Sequence, residues 1–416
     1  MMDGWHWAAW LVDTKTGRLG PRVPLLDGSK AEWELNGTGT WTVVCDGDWL
    51  DSVPAGWWYP WASSLLVCHD AHDGAGWQPV MLGPATEMPA AKMGTAGEKG
   101  MPVTLTGKDI RAMLARRIIT GHRDWQAPEG TWQLQHEQVT FSGMSLGTIA
   151  ERLITKACER YAGQLPIRPR AGHAQTGLAR DDGHTRTYQA HNLSNNDADK
   201  RLTELSEVIG GPDLAMRPVL EGDDPAHPDT VTVEVWHGLE GQPQIPQTGR
   251  RIWDATAPRG GVTGLEVATD SSGIYTRSWA TGAGEDADIL MDVRQNEQAL
   301  QAGMPLMEQV QAYQSISNHG PLLAHVDADL AAASRPAVQW TVQVDASAPG
   351  CRPVTDWQVG DRVRLITPPT RATTRLTLDT AGLPQPPAAQ DLTVTTIAAS
   401  ADLGEDVVKV KMQEDQ

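Results

Sequence analysis

Short apolar runs, bounded by clusters of Gly, Pro and Asp, recur along this chain of 416 residues. Residues 41–45, 64–68 and 79–82 are such runs, and apolar and polar residues alternate in 231–235 and 338–344. Side chains on a strand point to opposite faces in turn, so these patterns indicate buried or half-buried β-strands. Alternating βα units of a doubly wound sheet are absent. The pattern therefore predicts a mainly β protein.

Several stretches follow the period of a helix instead. Apolar stripes predict helices at about 108–118, 145–161, 197–209, 296–302 and 321–333. In the first of these helices, we expect Arg111, Arg116 and Arg117 to lie away from the apolar face. The polar stretch 173–196 is expected to form a long loop. A chain of this length needs several cores, so barrel or sandwich domains with a helical insertion are expected.

Tryptophan is unusually frequent, with 17 residues against a single Phe. The codons of Trp, Gly, Ala and Pro are GC-rich, which indicates an organism with a GC-rich genome. Codon bias does not explain all of the tryptophan, because an exposed indole lowers solubility. We expect many of these rings to be buried in cores or in contacts between subunits.

The formal net charge of −18 argues against a surface that grips nucleic acid, which needs basic clusters to neutralise phosphates. An acidic protein could form a wall past which DNA slides without binding. The favoured interpretation is that the charge serves solubility alone.

Cysteine usage and the chain start indicate synthesis in a cytoplasm. The four cysteines lie far apart without a C-x-x-C pair, so neither a disulfide framework nor a structural zinc site is expected. The N-terminus lacks the basic start and apolar run of a signal peptide. No apolar stretch approaches the roughly 20 residues of a membrane span.

One motif has the spacing of a catalytic site. Gly143-Met144-Ser145-Leu146-Gly147 matches the G-x-S-x-G turn that carries the nucleophile of many hydrolases. Alternatively, Ser145 is the N-cap of the helix that follows. The cap is the favoured interpretation, because a hydrolase of this type needs a parallel sheet, which the surrounding pattern does not offer.

Four further clusters were weighed as binding sites. Cys68, His69, His72 and the acids between them could hold a metal ion, but the segment is more typical of a strand leaving the core for a solvated turn. The acidic loops 181–184 and 221–224 lack the spacing of a calcium loop and indicate surface charge. The cluster Trp57-Trp58-Tyr59-Pro60-Trp61 could stack on sugars or face a membrane, although core or interface packing is favoured. We therefore predict no catalytic, cofactor-binding or metal-binding residue, and no enzyme.

Short motifs with a fixed order run through most of the chain. They are VD (12–13), TG (16–17), WELNGTG (33–39), GP (83–84), VTLTG (103–107) leading into IRAMLARR (110–117), GGPD (210–213), GGVTGL (260–265), WATG (279–282) and VGDRV (359–363). In this order they resemble the tail hub proteins, often called minor tail proteins, of siphophages that infect actinobacteria. The stretch from about 163 to 196 does not take part in the resemblance.

The resemblance implies a fold like the baseplate hub of contractile tails, with β-barrel tube domains. It implies a β tube domain at 1–125 with a helix at about 108–118, an α+β insertion at 126–225, a second β tube domain with helices at 226–335, and a C-terminal β domain at 336–416. Some relatives carry a fused peptidoglycan-cleaving domain, which is not expected here because the chain ends at Gln416.

The resemblance also implies a structural role in the virion. Three copies would form a ring at the tail tip, lining the channel through which DNA passes without specific binding. The expected partners are the distal tail protein and tail tube, the tape measure protein, and a tip fibre or central spike. A tail protein that binds host cell-wall carbohydrate is the alternative, and a serine hydrolase using Ser145 is the second alternative.

Overall fold

The computed structural model describes residues 6–91, 101–121, 138–179, 183–208, 210–224, 227–270, 272–334, 337–370 and 388–414. The chain divides into two compact units, and the described residues are mainly β. Unit 1 consists of Met1–Leu265 and Thr341–Gln416, and unit 2 consists of Glu266–Trp340. The prediction of a mainly β, multi-domain protein is confirmed. The four domain boundaries given above stay predictions.

The first half of the chain supplies most strands of unit 1. These strands are β1 Trp7–Asp13, β2 Leu19–Val23, β3 Lys30–Glu34, β4 Thr40–Asp46, β5 Ser63–His69, β6 Gln78–Pro84, β7 Ala90–Ala91, β8 Pro102–Lys108, β9 Gln138–Met144, β10 Ile167–Pro169, β11 His184–Gln189, β12 Leu214–Glu221 and β13 Thr230–His237. The later strands are β14 Arg251–Asp254, β15 Val262–Asp270, β16 Arg277–Thr281, β17 Met291–Gln295, β18 Glu308–Ala312, β19 Ala337–Asp345, β20 Arg362–Thr367, β21 Gln390–Asp402 and β22 Val407–Glu414.

The largest sheet joins strands from both ends of the chain. Its order is β15-β19-β22-β21-β3-β4-β8-β7, with β20 added beside β21 and β14 beside β20. A second sheet has the order β2-β1-β5-β6, and smaller ones are β10-β13-β12 and β11-β9. Among the described residues no sheet returns to its first strand, so the pairing gives open sheets where closed barrels were expected.

Helices are few and short, apart from α3 and α6. The described residues form the α-helices α1 Gly47–Ser52, α2 Arg111–Leu114, α3 Leu146–Cys158, α4 Ala198–Ser206, α5 Glu297–Gln301 and α6 His319–Ala333. Helices α3 and α4 pack together through a core that includes Ile149, Leu153 and Leu202. None of the helices in the described ranges is long and apolar enough to cross a membrane.

Tryptophan rings occupy the core of unit 1, as expected. Trp7, Trp41, Trp253 and Trp357 are among the largest fully buried side chains. The rings of Trp253 and Trp357 meet edge to face, with centroids 5.5 Å apart. Each of the four indole N–H groups donates to a backbone carbonyl oxygen, so burial leaves no donor unsatisfied.

The helix expected at 108–118 is shorter than its apolar pattern indicates. Only residues 111–114 are helical, and Arg111 is buried at 4% exposure, not directed away from the core. Its Nε forms an ion pair with Asp199 of α4, and its Nη2 donates to Thr203 Oγ1 at 2.9 Å. The distant helix α4 therefore supplies the partners that make burial of this charge tolerable.

The polar stretch 173–196 is not one long loop. Strand β11 lies within it and pairs antiparallel with β9, and a short 3-10 helix, Ala190–Asn195, follows. The alternation in this strand is weak because only Tyr188 faces the core cluster. Tertiary pairing thus overrides a polar sequence.

Unit 2 is a three-stranded sheet with one helix on it. The strand order is β17-β16-β18, antiparallel for β17 and parallel for β18. Helix α6 packs against β16 and β17, and its Leu322 and Val326 are fully buried beside Ala280. The Tyr313 hydroxyl donates to the Asp329 carboxylate at 2.8 Å, which ties the end of β18 to the helix.

Candidate assembly surface

The face of the unit 2 sheet opposite α6 carries exposed apolar side chains. Register places Val293, Trp279 and Val310 side by side in one row across the three strands. Val310 is 66% exposed and Met291, near the end of β17, is 51% exposed. We call this surface, with the row and Met291, the open face. An exposed apolar patch on a small sheet is typical of a contact with another protein surface.

Polar side chains border the open face on one side. Glu308 Oε1 accepts hydrogen bonds from the Trp279 indole at 2.9 Å and from Arg277 Nη1 at 3.1 Å. These bonds lower the pKa of Glu308, with the Trp279 bond as the larger cause. The bond to Glu308 thereby fixes the indole N–H of Trp279, a member of the apolar row.

Strand β18 adds a second feature to this surface. It pairs with β16 alone in the described sheet, so it is an edge strand. Leu306, just before it, is 50% exposed. The unpaired backbone N–H and C=O groups of such an edge can pair with another chain, although the side chains of β18 are mostly polar. The open face and this edge together form the candidate assembly surface.

Ser145 is a helix cap in this structure. It is 1% exposed, precedes α3, and its Oγ accepts from the Thr148 backbone N–H at 3.2 Å. The same Oγ bonds the Thr148 hydroxyl at 2.9 Å. The fold explains why glycine stands at both positions of the motif. Gly143 has φ +67°, and a Cβ on Gly147 would lie 2.3 Å from the ring of His237. The N-cap interpretation is confirmed.

Substitutions at Ser145 should follow the order expected for a cap. We expect Ser145→Ala to lower the free energy of unfolding by about 1 kcal/mol, and Ser145→Gly by only a few tenths, because glycine tolerates the cap position. Urea unfolding followed by circular dichroism measures both. A loss of ester hydrolysis in both variants, with stability unchanged, would contradict the cap.

The residues of the 68–73 cluster do not converge on one point. Cys68 and His69 are neighbours on β5, so their side chains face opposite ways. Cys68 packs in an apolar core, and burial raises the pKa of its thiol. Asp70 and Asp73 each accept from a backbone N–H two residues later, which is typical of tight turns. His69 faces Asp406, whereas Asp73 pairs with Arg352.

The acidic loops form surface ion pairs where they are described. Glu221 pairs with Arg168, and Asp224 accepts from His227 at 2.7 Å. His184 lies 3.3 Å from Glu240, while Asp181 and Asp182 lie outside the described residues. Glu221 and Asp224 thus each have a basic partner.

The Trp57–Trp61 cluster is half-buried. Arginine guanidinium groups lie over two of its rings, Arg18 at 4.6 Å from the Trp57 centroid and Arg116 at 3.9 Å from that of Trp61. A Cβ on Gly20 would lie 2.4 Å from the Trp57 ring, so this ring is packed against the backbone. These contacts favour internal packing over sugar stacking, which stays a prediction for the exposed Tyr59.

The structure brings together one group of residues that sequence reasoning missed. His6 and Asp406 lie beside His69, although 63 and 337 positions separate them from it. Neither residue belongs to a motif, and only the pairing of β1 with β5 brings His6 close to His69. No spacing in the sequence could have indicated the group.

No family model matches the chain, and no curated protein matches it. Similarity is found among solved structures. The tail protein from Neisseria meningitidis MC58 matches with a TM-score of 0.52 at 14% identity, over 99% of this chain and 97% of that one. The 43 kDa tail protein of prophage MuSo2 from Shewanella oneidensis matches with a TM-score of 0.53 at 10% identity, over 98% of both chains.

A third similar structure is larger. A chain of the PdpA–VgrG complex from Francisella matches with a TM-score of 0.50 at 7% identity, over 99% of this chain and 58% of its own length. At such identities the matches concern the fold alone. The chain therefore shares, along nearly its whole length, the fold of two tail proteins.

Proposed function

We propose that this chain is a structural subunit of a phage tail, the hub of the tail tip, which assembles as a trimeric ring. The ring joins the tail tube to the tip and lines the channel for DNA ejection. Its partners are the distal tail protein, the tail tube, the tape measure protein and a tip fibre or central spike. The subunit has no catalytic role in this proposal.

The observation that carries the proposal is the end-to-end similarity in fold. Two tail proteins are matched over 97% and 98% of their own lengths. The similarity therefore covers the whole arrangement of sheets and helices, not a single domain that occurs in many unrelated proteins. Fold alone does not define function. The motif order that resembles siphophage hub proteins is a second, independent support.

The open face supports assembly through unit 2. Burying Val310, Met291 and the Trp279 ring against a neighbouring subunit removes apolar surface from water, at about 25 cal/mol per Å². A ring repeats one such contact at each subunit boundary. The net charge of −18 supports the channel, since a wall of like charge does not bind passing DNA.

Assembly can be tested on the purified full chain. We expect sedimentation to give three times the chain mass of 45.0 kDa, and negative-stain images to show a three-fold ring with a central hole. Val310→Lys should weaken assembly by about tenfold or more, because a buried unpaired charge is costly. Val208→Lys is the matched control, since Val208 is an exposed valine of unit 1.

Two outcomes separate the parts of this proposal. A chain that stays monomeric at every concentration, alone and with tail components, would overturn the hub. If the wild-type chain forms a trimer and Val310→Lys leaves it intact, the open face is not the contact between subunits, and the hub proposal is unaffected.

A further inference from the structure

Two histidines and one aspartate from distant parts of unit 1 meet at a single point. His6 precedes β1, His69 ends β5, and Asp406 lies in the turn between β21 and β22. His69 Nε2 lies 2.9 Å from Asp406 Oδ1, and His6 Nε2 lies 3.8 Å from Asp406 Oδ2. The three possible ligand atoms all lie within 4.8 Å of one another.

We propose that His6, His69 and Asp406 bind a divalent transition metal ion of the Zn²⁺ class. A tetrahedral Zn²⁺ with bonds of about 2.0–2.2 Å holds its ligand atoms about 3.4 Å apart. The observed separations of 2.9 and 3.8 Å lie on either side of that value. Side-chain shifts would bring the three ligand atoms, which lie within 4.8 Å of one another, to that separation, and water would take the fourth position. This inference does not rest on the proposed function.

The groups behind the ligands orient them as in known metal sites. His6 Nδ1 lies 2.9 Å from the Asp70 carbonyl oxygen, and a carbonyl can only accept, so Nδ1 carries the proton. The Nε2 lone pair of His6 is therefore free to face the site. Ser347 Oγ donates to Asp406 Oδ2 and fixes that carboxylate. Such outer contacts to ligating histidines and carboxylates are the rule in metal proteins.

Burial and charge agree with this assignment. His69 is 1% exposed, and the edge of the Trp7 ring lies against it at 4.7 Å. The two oxygens of the Asp406 carboxylate face His69 and His6, so the group offers a cation one charged oxygen ligand beside two imidazole nitrogens.

A plain hydrogen bond explains part of the group but not all of it. The His69–Asp406 contact alone is an ordinary buried pair. It does not account for His6, whose ring approaches the same carboxylate with its other nitrogen already donating elsewhere. Three titratable side chains directed at one point are what a cation explains.

The same atoms do not form a catalytic triad. Ser347 Oγ lies 3.1 Å from His6 Nδ1, but that nitrogen holds its proton for the Asp70 carbonyl. The hydroxyl proton of Ser347 goes to Asp406 instead. Ser347 thus has no base to activate it.

Metal binding can be measured on tag-free full chain stripped with a chelator. Titration with Zn²⁺ by calorimetry should give one site per chain, and Co²⁺ should give the ligand-field bands of a four-coordinate ion. His6→Gln, His69→Ala and Asp406→Asn should each weaken binding by about tenfold or more. His227→Ala is the matched control, because His227 forms an exposed pair with Asp224 without a second histidine.

A stability readout keeps the test decisive. Zn²⁺ should raise the urea midpoint of the wild-type chain and leave those of the three variants unchanged, since only a ligand of the folded state stabilises it. If His69→Ala or Asp406→Asn fails to fold, the partly exposed His6→Gln decides alone. The proposal would be overturned if Zn²⁺ bound wild type no more tightly than His6→Gln. It would also be overturned if His227→Ala weakened Zn²⁺ binding as much as the three ligand variants do.

Discussion

Trp41→Ala should lower the free energy of unfolding of unit 1 by about 3 to 5 kcal/mol, the range for truncating a large buried aromatic residue. Trp41 is 1% exposed and lies opposite Gly107, where the missing side chain makes room for the indole. A Cβ on Gly107 would lie 2.2 Å from the ring. Truncation therefore leaves a cavity between two backbones that cannot close.

The indole N–H of Trp41 contributes separately. It lies 3.2 Å from both the Gly83 and the Lys108 carbonyl oxygens. Trp41→Phe keeps most of the ring volume and should cost only about 1 kcal/mol, the net value of a hydrogen bond. Urea unfolding followed by circular dichroism at 222 nm is suitable, because it does not depend on the fluorescence of the substituted residue.

The matched control is Tyr59→Ala. Tyr59 is an aromatic residue that is 69% exposed, so its removal should change stability by less than about 0.5 kcal/mol. A Trp41→Ala midpoint equal to that of wild type, or equal effects of the two alanine variants, would show that Trp41 does not hold this core.

Gly83→Ala should destabilise unit 1 by about 3 kcal/mol or more, although it adds one methyl group. An added Cβ would lie 1.9 Å from the Lys108 carbonyl oxygen and 2.4 Å from the backbone of Asp109. Strand β6 crosses the end of β8 at this point, and both obstacles are backbone atoms that cannot rotate away. Overpacking typically costs 1–3 kcal/mol, and a backbone obstacle places this site at the upper end.

Gly56→Ala serves as the control for Gly83→Ala. No atom lies within 4 Å of the position that a Cβ on Gly56 would take. Its effect should stay within about 0.5 kcal/mol and could be slightly favourable, because alanine restricts the unfolded chain. Equal midpoints for the two variants would show that β6 and β8 separate easily at Gly83.

The sequence predicted well wherever a signal is local. Ser145 caps α3, as its position before an apolar stripe indicates, through a bond from the backbone N–H three residues later. The strand of residues 40–46 follows from a short apolar run, and that of residues 337–345 follows from alternation. The resemblance in motif order pointed to tail proteins, and two of them share the fold.

The sequence-based predictions were wrong where contacts between residues far apart in the sequence determine the local structure. The stripe at 108–118 is helical only at residues 111–114, and the backbone of residues 117–119 bonds instead to that of Asn196 and Ala198. Strand β11 is polar and was expected to be loop, and pairing with β9 makes it a strand. The sheets were expected to close as barrels but are open in the described residues. Alternation in the sequence shows which face of a strand is buried, but it does not show which strands pair with it.

By itself, the sequence determined the class of fold, the turns and the helix caps, because these depend on bonds and side-chain directions within a few residues. Only the tertiary structure decided that β3 and β4 pair in one sheet with strands from the C-terminal end, and that His6 and His69 meet Asp406. Contacts across hundreds of positions arise when whole surfaces pack together. The free energy of that packing is spread over many residues, so no single stretch of sequence carries its signature.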